Sequence, residues 1–144
     1  MAGVRVRRRR DEDGAAAVEF ALVLIPLVLI LFGIISYAYM FSVRQALTQA
    51  AAEGARAAAV AQTNPEGAAK AAVDNALDGF GGLKCDNGKL TCTFVPDPAC
   101  RTGATCVKVS VSLNYGNNGG YDPFNLPLIP MPGTLAFSSS AEVN

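Results

Sequence analysis

Residues 14–41 read GAAAVEFALVLIPLVLILFGIISYAYMF. From Phe20 to Phe41 this stretch holds 22 residues and no charge. Coiled as an α-helix it would measure about 33 Å, against a bilayer hydrocarbon core of about 30 Å. A cleaved secretory signal has a shorter apolar core, about 7–15 residues, and a small-x-small site after it. Ser36-Tyr37-Ala38-Tyr39-Met40 offers no such site, so the stretch predicts a retained transmembrane helix over residues 15–41. Glu19 stands at its edge, where an ionised carboxylate is costly and calls for a function. Gly14 lies five residues before it.

Charge sets the expected orientation. Over 144 residues the net charge is zero, but Arg5, Arg7, Arg8, Arg9 and Arg10 crowd the start, followed by Asp11, Glu12 and Asp13. Only Arg44 and Arg56 follow the apolar run nearby. The positive-inside rule then places the N-terminus in the cytoplasm and the rest outside, with Tyr37 and Tyr39 as an aromatic belt at the outer interface. Pro26 inside the helix would free the Leu22 carbonyl; it is either a functional kink or a tolerated membrane proline.

Residues 42–62 continue as an amphipathic helix. Leu47, Ala50, Ala51, Gly54, Ala55 and Ala58 recur at three- and four-residue steps, with Thr48, Gln49, Glu53 and Arg56 mostly opposite. Glu53 and Arg56 are spaced for a weak ion pair. The helix is expected to join the span as one rod from Ala15 to Ala61. Its small-residue face suits either the outer domain of its own chain or another subunit.

Beyond it, Thr63-Asn64-Pro65-Glu66 signals a helix start, capped by Thr63 with Glu66 or by Asn64 with Pro65 at the first position. That second helix is expected to reach Asp78, with Gly79-Phe80-Gly81-Gly82 ending it. Residues 83–144 read as a small antiparallel β domain. Strands are expected over Lys89–Val95 after an Asn87-Gly88 turn, Val107–Tyr115 and Thr134–Val143. Asn117-Asn118-Gly119-Gly120 marks another turn. Tyr121–Gly133 is proline-rich and apolar, and suits a sheet edge, the membrane or a neighbour equally. The fold class is therefore α+β: a long N-terminal helix leading into a domain with a second helix and a small sheet.

Cys85, Cys92, Cys100 and Cys106 all fall in the outer domain. With no C-x-x-C pair and no histidine, a metal site is not expected, whereas an exported location and an even count favour two disulfides. Three pairings are possible; Cys85–Cys92 and Cys100–Cys106, each closing a short loop, are the expected ones. No nucleophile–base pair, metal cluster or phosphate loop appears, so neither an enzyme nor a cofactor is expected. Asp122 near Asn117, Asn118 and Asn125 could suggest calcium, but loop asparagines ordinarily make turns. From Ala15 onward acids outnumber bases, which argues against a nucleic-acid partner.

The run Gly14-Ala15-Ala16-Ala17-Val18-Glu19-Phe20-Ala21-Leu22-Val23-Leu24 strongly resembles the start of TadE-like proteins, minor pilins or pseudopilins of tight-adherence, Flp-type pili. Arg44-Gln45-Ala46-Leu47 and Ala50-Ala51-Ala52-Glu53-Gly54-Ala55-Arg56 look like the family's second block. The two blocks and the span between them cover about a third of the chain. The resemblance implies a cytoplasmic leader, residues 1–14, removed by a prepilin peptidase between Gly14 and Ala15. It makes Glu19 the fifth mature residue, an assembly carboxylate beside Phe20. It implies as partners the peptidase, the major Flp-type pilin, other TadE-like pseudopilins, the inner-membrane assembly platform and the lipid bilayer. Asp11-Glu12-Asp13 departs from the family's basic leader. The outer domain argues against the major pilin, whose chains are usually much shorter. The alternative is an uncleaved, single-pass anchored module that binds an adhesion target.

Overall fold

The computed structural model describes residues 6–85, 87–98, 103, 105–116 and 120–143, with side chains from residue 14 onward. Its elements are α1 (Val6–Val60), α2 (Pro65–Ala76), β1 (Leu90–Pro96), β2 (Cys106–Asn114) and β3 (Thr134–Glu142). This is the expected α+β chain. One difference is where α1 begins. It starts at Val6 rather than at Ala15. Arginine is a good helix former, and a single glycine costs only about 1 kcal/mol in a helix, so Gly14 does not stop it. The helix also runs through Pro26 without interruption.

The chain divides into two compact units between Ala38 and Tyr39. In the first, no residue from Gly14 to Ile35 is buried. Phe20, Leu22, Val23 and Ile30 are each more than 60% exposed, which makes this half of α1 an unsatisfied apolar surface. The helix is long and apolar enough to cross a membrane.

The second unit has a core of its own. Its sheet has the order β1-β2-β3, antiparallel throughout, with Cys92 opposite Val111 and Val111 opposite Phe137. Period-two alternation places Leu90, Cys92, Val109, Val111, Leu113 and Leu135 in the core. Thr91, Thr93, Ser110, Ser112, Ser138 and Ser140 occupy the alternate positions, exposed or half-buried. Val43, Leu47, Ala50, Ala51, Ala55 and Ala58 of α1 join Ala69 and Val73 of α2 in the same core. The small-residue face of α1 therefore packs on α2 and the sheet of its own chain. Gly54 shows why the face must be small: a Cβ there would lie 2.8 Å from Val73 Cγ2 and 3.2 Å from Val109 Cγ1.

Local chemistry fixes the connections. Asn64, at φ 54°, caps α2: its Oδ1 accepts the Gly67 N–H at 3.0 Å, and Pro65 takes the first helical position. Of the two capping arrangements the sequence allowed, this is the one formed. The second helix ends at Ala76, not Asp78; Leu77 caps it, and the chain turns through Gly81 and Gly82, both at positive φ. Asp74 Oδ1 then accepts the Cys85 N–H at 2.7 Å, tying α2 to the approach to the sheet. Cys85 and Cys92 are disulfide-bonded, as expected, across a Cα separation of 5.3 Å. Inside that loop Asn87 Oδ1 accepts the Lys89 and Leu90 N–H groups at 3.2 and 3.1 Å. Cys106 is also disulfide-bonded, whereas Cys100, its expected partner, lies outside the described residues.

Both ends of the proline-rich segment are pinned to the end of β2. The Tyr121 and Asp122 N–H groups donate to the Asn114 and Tyr115 carbonyls, each at 2.9 Å. The Tyr115 and Gly116 N–H groups donate to the Gly133 carbonyl at 3.0 and 3.1 Å. Gly120 fits this return because a Cβ would run into the Tyr115 carbonyl oxygen at 2.6 Å. The turn residues Asn117, Asn118 and Gly119 lie outside the described residues.

Candidate assembly segment

Gly14, Ala15, Glu19 and Phe20 all lie within the helical part of α1. A 3.6-residue period puts Ala15 and Glu19 on one face, a turn apart. Gly14 stands open: a Cβ there would meet nothing within 4 Å. Glu19 is exposed and makes no hydrogen bond or ion pair with another described residue. It therefore has no role in the packing of its own chain that the described contacts show. Phe20, beside it, is 67% exposed. The four residues are brought together by sequence adjacency alone.

Residues 14–56 match the family of TadE-like proteins. The TadE-like segment thus opens on Gly14 and closes on Arg56, the residue that ends the second sequence block. It takes in the exposed apolar half of α1 and most of the stripe buried under the sheet. It stops short of α2, the sheet and the Cys85–Cys92 disulfide. No match to the chain is found among curated proteins or solved structures.

The TadE-like segment also contributes to a cluster that local sequence does not reveal. Tyr39 Oη lies 3.1 Å from Tyr121 Oη, 82 residues away, and the two rings stack at 6.4 Å. Phe124 meets Tyr39 edge-on at 5.9 Å, and Tyr115 lies 6.4 Å from Tyr121. Tyr39, expected in an interfacial belt, is thus half-buried and held by Tyr121 and Phe124. Its place at the end of the apolar run was the available signal; its partners were not readable. Burial, then the charge of Asp122 and the neighbouring Tyr39, push the Tyr115 phenol up to about 12. Burial first, and then the hydrogen bond with Tyr39, raise Tyr121 further. Both shifts favour the protonated phenols.

The remaining candidates have structural roles. Asp122 Oδ1 accepts the Phe124 N–H at 3.0 Å, an Asx-type turn contact. Glu53 and Arg56 pair at 3.3 Å with both side chains more than half exposed, a contact of small energetic weight.

Proposed function

We propose that this chain is a minor pilin or pseudopilin that takes part in assembly of a Flp-type, tight-adherence pilus, with a structural rather than catalytic role. In this reading a prepilin peptidase cuts between Gly14 and Ala15 on the cytoplasmic face. The observation that carries it is the TadE-like match starting at Gly14, with the unengaged Glu19 one turn beyond Ala15.

Cleavage at that bond creates an ammonium on Ala15. It also leaves the first four N–H groups of the mature helix without intrahelical acceptors, at the positive end of the helix dipole. Glu19 of a neighbouring subunit supplies the matching carboxylate. Ion pairing in a low-dielectric layer is strong, and it offsets the cost of holding either charge there alone. Such a pair would fix the axial register between subunits, while the apolar residues around it supply nondirectional contact. The bond now lies in helix, so the peptidase must unwind the chain locally. Gly14 lowers that cost through its poor helix propensity and its backbone freedom. The partners are then the peptidase, the major pilin, other TadE-like pseudopilins and the assembly platform of the inner membrane, with the outer domain outside the cytoplasm.

N-terminal sequencing of the membrane-extracted protein tests the first step; the expected mature end is Ala15. An intact Met1 or Ala2 in cells with active peptidase would favour the uncleaved anchored adhesion module. Glu19→Ala tests the second step: processing is expected to continue while recruitment into pilus assembly is lost. Unchanged pilus formation in that variant would overturn the assembly role.

A further inference from the structure

We infer that the loop from Asp122 to Pro132 is seated in the interfacial layer of the bilayer that holds the apolar run, with Phe124 and Leu128 as its lipid contacts. This rests on the reading of α1 as a membrane anchor.

The level of the loop follows from Tyr39. The uncharged run ends at Phe41, and Arg44, one turn further, is the first basic residue after it. Arg44 therefore marks the headgroup level, and Tyr39 lies just inside it. Phe124 touches Tyr39 edge-on, and Tyr121 meets it hydroxyl to hydroxyl. The loop thus begins beside the last turn of the apolar run. Both its ends are pinned to β2, which keeps it there.

The chemistry of the loop fits lipid rather than water. Residues 123–133 read PFNLPLIPMPG and hold no charge. Phe124 is 37% exposed and Leu128 75%, while Met131 packs against the core. Irregular backbone is disfavoured in lipid by its unpaired N–H and C=O groups. Here Pro123, Pro127, Pro130 and Pro132 bring no N–H, which reduces that cost and suits the hydrated interfacial layer rather than the hydrocarbon core. The Phe124 N–H is taken by Asp122, and the Ile129 N–H by the Leu126 carbonyl at 3.1 Å. Val60, 76% exposed at the other end of α1, is the contrasting case: about 30 Å along the helix from Tyr39, it faces water.

The chain has no tryptophan, so a single introduced one reports its own surroundings. Leu128→Trp, Ile30→Trp and Val60→Trp are made in the full chain and reconstituted in phosphatidylcholine vesicles. Quenching by chain-brominated phosphatidylcholine is compared with quenching by aqueous acrylamide. The Ile30→Trp and Leu128→Trp variants are expected to lose most of their fluorescence to brominated lipid, and Val60→Trp to acrylamide alone. If Leu128→Trp follows Val60→Trp while Ile30→Trp is quenched by lipid, the loop proposal fails and the anchor stands. If Leu128→Trp is shielded from both quenchers, a protein neighbour covers the loop and the lipid assignment is wrong. If Ile30→Trp escapes brominated lipid, the anchor reading fails and takes the proposal with it. Phe124→Trp repeats the measurement at the second contact.

Discussion

The two halves of α1 solve opposite problems with the same backbone. From Gly14 to Ile35 the helix carries large apolar side chains and buries none of them. From Val43 to Ala58 half of its sixteen residues are alanine or glycine, and it buries six of these eight, with Val43 and Leu47, under α2 and the sheet. Large exposed apolar groups need an environment that the chain does not supply. Small groups let a sheet approach the helix axis closely, as Gly54 does against Val73 and Val109. The first half therefore leaves its apolar surface open. The second half's small face is already used, so any contact between subunits at that height must use another face of the helix.

The strongest way to break that contrast is to remove the same side chain from each half. Leu47 is fully buried and Leu27 is 59% exposed. Leu47→Ala should destabilise the second unit by about 2–5 kcal/mol, the range for a buried leucine truncation. Leu27→Ala should leave domain stability unchanged. Denaturant titration followed by the near-ultraviolet signal of the tyrosines checks both. Equal losses would mean that the halves are not energetically distinct.

The same contrast explains what could be read from the sequence. The apolar run, the small-residue stripe and the alternation in β2 are local patterns, and each became the element its period implied. Periodicity names a face but not its partner. So the Ala50–Ala58 stripe was readable as an interface, whereas its occupant, the chain's own sheet, needed the tertiary structure. The Tyr39–Tyr121 contact was invisible for a related reason: a pair 82 residues apart leaves no trace in either local pattern. The expected rod begins at Ala15, with the apolar run, while α1 extends back to Val6 through charged residues that carry no apolar period. Of the candidate assembly segment, the residues and their spacing were legible from Gly14 to Phe20. Their exposure, and the lack of any described partner for Glu19, came only with the fold.

Reduction of the Cys85–Cys92 disulfide sharpens the contrast with a somewhat smaller effect. Closing so short a loop contributes about 2–3 kcal/mol in the chain-entropy account. The Asp74 and Asn87 hydrogen bonds that hold the same loop make the lower end of that range the expected one. A Cys85→Ser, Cys92→Ser double variant should melt at lower temperature by near-ultraviolet circular dichroism. Its membrane association should be untouched, because the apolar half has no part in the loop. Loss of membrane association would show that the two units depend on each other.

The smallest effect is a pH slope confined to the second unit. From Phe20 to Ser36 the helix has no ionisable side chain, so high pH gives that stretch nothing to titrate. The second unit holds Tyr115 with its phenol pushed up to about 12 from an ordinary 10.0, chiefly by burial, and Tyr121 raised in the same direction. A folded state that binds a proton more tightly than the unfolded chain loses stability once the unfolded chain can release it. The contribution is therefore complete below about pH 10 and disappears as pH rises towards about 12. Tyr115→Phe should make this alkaline slope shallower, leaving the part due to Tyr121. Melting temperatures measured from pH 8 to 11, as an order-of-magnitude window around the tyrosine range, give the readout. An unchanged slope in the variant would mean that Tyr115 titrates as freely in the fold as in the open chain, and that burial at the end of β2 does not hold its proton.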